Sequence, residues 1–260
     1  MAYKETLVTV YRTASDREVT FLAAGFAYYA FASLIPLVLL ALAVGSLLGG
    51  EALAERLVVI AGDFLPASGE QLLTDVLTTE SGRAEATVVA LLVSTWGALK
   101  VFRGLSLAFD VVYGTEVQDS LSDQIVQGLV VIVSGAAAMA LMVVIGAVLR
   151  FLSGTIPFAG AFGSLALLLG LVLVFVPIYY VLPPIDVAPR EVLPGAAFAA
   201  VGWVVLQIGF QLYASTAGQY EAYGAVGAVI LFVTWLYFAG ILILFGAVLN
   251  VVVSRPELAA

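Results

Sequence analysis

The sequence contains no cysteine and no histidine. The first absence excludes disulfides, thiol nucleophiles and cysteine-ligated zinc; the second excludes imidazole acid–base catalysis and the commonest metal ligand. Lysine is almost missing as well, since Lys4 and Lys100 are the only two among ten basic residues. Charged residues of both signs make up 11% of the chain, less than half the share of about 25% in soluble domains. The charge that remains leans acidic, with 18 Asp and Glu and a net charge of −8. A chain without a basic patch cannot release counterions from phosphates, which argues against a nucleic-acid partner. An acid-rich, lysine-poor surface is the composition expected of a halophilic prokaryote with a salty cytoplasm.

Apolar residues take the place of charge: 63% of the chain is hydrophobic and the mean hydropathy is +1.13. Uncharged runs cover 19–50, 124–149, 151–185, 192–220 and 222–254, with a shorter one at 86–99. A span needs about 20 apolar residues to cross a hydrocarbon core of about 30 Å. The runs predict an all-α integral membrane protein with six transmembrane helices, at 20–49, 84–109, 124–150, 161–182, 193–215 and 223–252. The second helix spans only if Lys100 and Arg103 snorkel to an interface. No linker or second domain interrupts this pattern, so 1–260 reads as a single six-helix membrane domain.

Cytoplasmic segments carry the excess of Lys and Arg. With the N-terminus inside, the inner segments hold Lys4, Arg12, Arg17, Lys100, Arg103, Arg190 and Arg255, against Arg56, Arg83 and Arg150 outside. This places both termini in the cytoplasm and the protein in the cell membrane as a multi-pass chain. The segment 51–83 is then an extracytoplasmic loop with room for two short helices broken at Pro66, the second capped by Ser68 and Gln71. Residues 1–19 lack the apolar core of a cleavable signal and fit an interfacial amphipathic helix leading into the first span. Ser15 and Glu18 have the spacing of a capping box at that start.

Four stretches carry a family resemblance: "AAGFAYYAFASLIPLVLLALAVG" (23–45), the segment from Trp96 through Arg103 to "YG" at 113–114, "PGAAFAAVGW" (194–203), and "YGAVGAVILFVTWLYFAGILILFGAVLN" (223–250). Together and in this order they resemble the YihY/virulence factor BrkB family. The resemblance implies six helices, a sizeable loop after the first, and a prokaryotic cytoplasmic-membrane location. Two departures stand out. The family's last motif commonly reads GAELN, whereas this chain has Gly246, Ala247, Val248, Leu249 and Asn250; and the family often has Asn where this chain has Asp110. A proton relay through the acid of the last helix therefore has no carboxylate here. Some members have carried the label ribonuclease BN. Metal-dependent nucleases need clustered carboxylates or histidines in a wet site, but the acids here are scattered through short loops. The expectation is a protein that is not an enzyme, with no catalytic residue, metal or cofactor.

The polar groups inside the apolar runs are the candidate substrate path. Tyr29, Ser33 and Pro36 share a small, polar stripe of the first helix, which reads either as close packing with a kink or as the lining of a cavity. Trp96, Lys100, Arg103 and Asp110 follow one another at helical spacing in the second, either as an interface anchor or as a basic pocket for an anionic head group. In the fifth helix Gly195, Gly202 and Gly209 form one face, a surface for tight packing, while Gln207 and Gln211 lie on another. There an amide must find a partner helix or a wet cavity. Tyr179 and Tyr180 read as interfacial belt residues. Trp235 sits well inside the last span, where its indole N–H needs a partner. These residues point to handling of a lipid or lipid-linked anion, with membrane lipids as partners. A small-ion or small-solute channel and a non-transporting scaffold are the alternatives, and assembly as a homo-oligomer is compatible with the sequence.

Overall fold

The computed structural model describes residues 2–34, 80–115, 121–152, 159–217 and 224–258. Among these residues there is no strand. The helices are α1 (Ala2–Asp16), α2 (Val19–Leu34), α3 (Glu80–Tyr113), α4 (Leu121–Leu152), α5 (Ala159–Val181), α6 (Pro189–Ala217) and α7 (Gly224–Ser254), followed by a single 3₁₀ turn at Pro256–Leu258. Their ends sit where the chemistry of the chain stops a helix. α5 ends just before Pro183 and Pro184, which cannot donate to it. α6 starts with Pro189 at its first position, where a missing N–H costs nothing. Pro36 and the segment 51–79, with its expected short helices, lie outside the described residues.

Among the described residues, three segments are long and apolar enough to cross a membrane: Ile125–Ala147, Pro189–Tyr213 and Val229–Ser254. Val19–Leu34 and Leu165–Val181 are apolar but shorter. α3 has 34 residues, about 51 Å of helix at 1.5 Å per residue, with Lys100 and Arg103 interrupting its apolar character.

The chain divides into two compact units, one made of Met1–Tyr28 and Phe102–Ala260, the other of Tyr29–Val101. In the first, α7 packs most extensively on α6, α5 packs on both α4 and α6, and α1 packs on α7. The core gathers Phe109, Val112 and Tyr113 of α3, Phe175 and Tyr179 of α5, Val192, Ala196 and Ala199 of α6, and Leu244, Ala247, Val248 and Val251 of α7. Val248, where the resemblance would place an acid, is fully buried in this core, a position that an apolar side chain suits.

The glycine face expected on α6 is found against α7 for two of its three members. A methyl group on Gly195 would meet the Gly246 carbonyl and the Asn250 amide, and one on Gly202 would meet Leu242, while Gly209 has open space. Gly246 in turn lies against the Tyr179 hydroxyl and the Gly195 carbonyl. Two glycines thus let the α6 and α7 backbones touch, as small residues do between membrane helices.

At the other end of the sequence, α1 and α2 are separate helices joined by a turn at Arg17 and Glu18. Glu18 takes a left-handed backbone, φ 51°, and its carbonyl accepts the N–H of Leu22. α2 is therefore capped at Glu18. The expected cap residue Ser15 lies inside α1 instead, and its carbonyl accepts the Glu18 N–H in the turn. Thr13 and Ala14 are buried, whereas Leu7, Val8 and Tyr11 face outward.

Candidate functional site

Three groups of polar side chains emerge. The first is a buried junction in the larger unit, where the C-terminal ends of α3 and α5 meet the start of α6 and the end of α7. α3 terminates in a Schellman arrangement: Gly114, at φ +70°, donates to the Val111 carbonyl at 3.1 Å, and Thr115 donates to the Asp110 carbonyl at 3.0 Å. The Arg17 guanidinium adds to this end. Its Nη1 donates to the Val111 carbonyl at 2.9 Å and its Nη2 to the Leu258 carbonyl at 3.0 Å. A cation is favoured at a helix C-terminus, where unpaired carbonyls concentrate negative charge. The Arg17 head also fills the space that any side chain at position 114 would need.

Beside it, Asn250 joins α7 to α6. The Gly195 N–H donates to Asn250 Oδ1 at 2.6 Å, and Asn250 Nδ2 donates to the Val192 carbonyl at 3.5 Å. The Tyr179 hydroxyl donates to the Ile243 carbonyl at 2.9 Å, tying α5 to α7. Tyr179 is thus a fully buried link and not a belt residue, while its neighbour Tyr180 is exposed. At the rim, Glu191 acts as a cap. Its carboxylate accepts the Ala188 N–H at 3.2 Å and an Arg255 Nη2 donor at 3.2 Å. Arg255 also donates to the Asp186 carbonyl. These bonds, first the Ala188 N–H and then Arg255, hold the Glu191 carboxyl below the ordinary glutamate value. Glu191 precedes the uncharged run of α6, which begins at Val192. Burial pushes the Tyr113 phenol above its ordinary value, with Glu191 adding to the effect and Arg255 opposing it.

The second group is basic and exposed. On α3, the Lys100 ammonium lies 3.8 Å from the centroid of the Trp96 ring, and both residues are exposed. Arg103 is exposed as well and forms no hydrogen bond or ion pair among the described residues. Asp110, expected on the same stripe, is buried: the stripe runs from an exposed stretch of α3 into the core around Phe109 and Tyr113. What the exposed stretch offers chemically is attraction for an anion, with an aromatic face beside it.

The third group lies on α6 and α7. Trp235 is half-buried in an aromatic cluster, its ring 5.1 Å from Trp203, 6.0 Å from Phe232 and 6.3 Å from Phe210. Phe175 extends the cluster, 5.8 Å from Trp203. Gln207 and Gln211 are exposed and take no part in it. In the smaller unit Tyr29 is partly exposed and Ser33 donates to the Ala30 carbonyl of its own helix at 2.8 Å, a local bond that satisfies the hydroxyl.

Nothing in the sequence pattern links Arg17, Glu191, Asn250 and Arg255, and sequence reasoning alone misses them as a group. For Asn250 a signal exists: it is the single amide in the uncharged run 222–254, and an amide so placed must find a partner.

The virulence factor BrkB family model matches residues 10–260. A UPF0761 membrane protein of Pseudoalteromonas translucida is 26% identical over 251 residues, 93% of this chain and 83% of that protein. YfkH of Bacillus subtilis, named as a ribonuclease-like protein, is 36% identical over 88 residues, covering 34% of this chain and 32% of YfkH. A UPF0761 membrane protein of Nitrosospira multiformis is 33% identical over 72 residues, 27% of this chain and 17% of that protein. No solved structure is significantly similar to the chain.

Proposed function

The chain belongs to the virulence factor BrkB family and is a membrane protein, and from that premise we propose that it handles a lipid or lipid-linked anion in the cytoplasmic membrane. The chain crosses six times with both ends inside. Support for this topology comes from one end of the larger unit, where hydrogen bonds draw together residues 17, 111, 191, 195, 250, 255 and 258. That end brings together the chain entering α2, leaving α3, entering α6 and leaving α7, as alternating spans require. It also carries Arg12, Arg17, Arg190 and Arg255, the bias of a cytoplasmic face.

The observation that carries the function is the exposed pair Lys100 and Arg103, three residues apart on one helix. Both fall within the helical sequence Glu80–Tyr113 and not in a loop. Basic groups so placed are retained at a cost unless they meet an anion. A phosphate head group supplies that charge, and its acyl chains stay in the hydrocarbon beside the exposed apolar residues Leu91, Leu92 and Val93. The protein acts by binding and guiding, not by covalent chemistry. RNA cleavage, which the name of YfkH suggests for that relative, would need carboxylates brought together around a metal.

Reconstituted into vesicles with a labelled anionic phospholipid, the wild type exchanges lipid between leaflets faster than empty vesicles do. The double variant Lys100→Ala, Arg103→Ala loses most of that excess. Equal rates in all three preparations sink the proposal. Conductance across a planar bilayer without lipid exchange would turn it to the channel reading.

A further inference from the structure

We infer that residues 255–258 form a strap that closes one end of the larger unit, with Arg255 as its hinge and Arg17 as its catch. Pro256 has no N–H and cannot continue α7, so the chain leaves the helix for the 3₁₀ turn Pro256–Leu258. Both ends of this short segment are fastened to other parts of the chain. At the near end the Arg255 N–H still donates to the Val251 carbonyl of α7. Its Nη2 donates to the Asp186 carbonyl at 3.1 Å and to the Glu191 carboxylate at 3.2 Å. At the far end the Leu258 carbonyl accepts Nη2 of Arg17 at 3.0 Å, while Nη1 of the same guanidinium donates to the Val111 carbonyl at 2.9 Å. The strap therefore runs from the start of α6 to the place where the α1–α2 turn meets the end of α3.

The kind of hold marks the segment as one that opens. None of the three residues of the turn is fully buried; Leu258, half-buried against the core, is its one apolar contact there. A segment with so little apolar burial is kept in place by its hydrogen bonds and opens when they break. The two fastenings are unequal, because the near end stays in the last hydrogen-bonded turn of α7 whereas the far end depends on Arg17. Strain lies beside the catch. Glu18 adopts φ 51°, a left-handed backbone that residues with a side chain seldom take. Such a conformation persists where the surrounding structure fixes it, and the two bonds of Arg17 fix it here. Closing the strap thus seats the α1–α2 turn against the end of α3, and opening it leaves Arg17 with the Val111 bond. The inference stands independently of the lipid-handling proposal.

The absence of cysteine lets a nitroxide spin label be placed at one chosen site. In lipid nanodiscs, a label on Glu257→Cys, between hinge and catch, is expected to be mainly immobile. Two changes open the strap from different sides. Arg17→Ala removes the catch. Leu258→Pro removes the Leu258 N–H that bonds the Arg255 carbonyl and disfavours the turn conformation at position 257. Each should raise the ratio of mobile to immobile label on the order of ten-fold, about the ratio that one hydrogen bond to a charged group sustains. A label on Val143→Cys, exposed on α4, should not change in either background. A label at position 257 that is mobile before any change, or that stays immobile in either variant, overturns the inference. So does mobilisation at 257 and 143 together in both variants. If the two labels loosen together in Arg17→Ala alone, Leu258→Pro, which leaves Arg17 and α3 as they are, decides.

Discussion

Replacing Asn250 tests whether the contact between α6 and α7 is held by an amide or only by packing. Asn250 is 3% exposed, and its side chain bonds the Gly195 N–H at 2.6 Å and the Val192 carbonyl at 3.5 Å. In Asn250→Ala the short bond is lost, worth about 1 to 1.5 kcal/mol in a buried setting. The longer bond adds little. Removing a buried side chain beside two glycine backbones that cannot move in to fill the space costs roughly another 1 kcal/mol. The expected destabilisation is therefore about 2 to 3 kcal/mol, a fall in melting temperature of roughly 5 to 10 °C for a chain of this size. Asn250→Leu separates the two contributions, because it restores the volume but not the bonds. Trp203 and Trp235 lie on α6 and α7 next to each other, so thermal unfolding in detergent can be followed by tryptophan fluorescence. Both variants are expected to melt well below the wild type. If Asn250→Leu melts with the wild type, the amide does not hold the joint and the reasoning is refuted.

Two further outcomes follow from the same junction. Gly246→Ala forces a methyl group against the Tyr179 hydroxyl and the Gly195 carbonyl; overpacking of this kind costs about 1 to 3 kcal/mol, and the same melting assay should show it while Gly209→Ala, in open space, stays near the wild type. The Glu191 carboxyl is held below its ordinary value in the folded state, so its stabilising contribution is complete above the unfolded value and is lost as pH falls through the folded one. The melting temperature should accordingly drop on acidification below the ordinary glutamate range, and Glu191→Gln should flatten that part of the profile; an identical acid profile in the variant would remove Glu191 as the cause.

Among the described residues the positions of the helices were legible because charge and proline mark them in the sequence. Arg255 and Pro256 close α7, and Pro183 with Pro184 closes α5. Helix neighbours were less legible. The seven-residue repeat of Gly195, Gly202 and Gly209 correctly marked a packing face, yet only the folded chain shows that α7 covers the first two and leaves the third open. Tyr179 illustrates the limit: a tyrosine near a helix end satisfies the belt pattern and the buried-link pattern equally well. What decided between them was the Ile243 carbonyl, 64 residues away. Asp110 shows the same limit in reverse. Helical spacing placed it with Lys100 and Arg103, but α3 passes from an exposed stretch into the core between them, and spacing carries no information about that change.

The Arg17 guanidinium has a consequence for how the chain is made. Its two acceptors appear at very different times during synthesis: the Val111 carbonyl 94 residues later and the Leu258 carbonyl 241 residues later. Arg17 is thus among the first side chains to leave the ribosome and among the last to be satisfied. Until Leu258 is released, one of its donors has only water to bond. A chain stopped short of Leu258 leaves that donor to water and lacks the bond that joins the turn before α2 to the segment after α7.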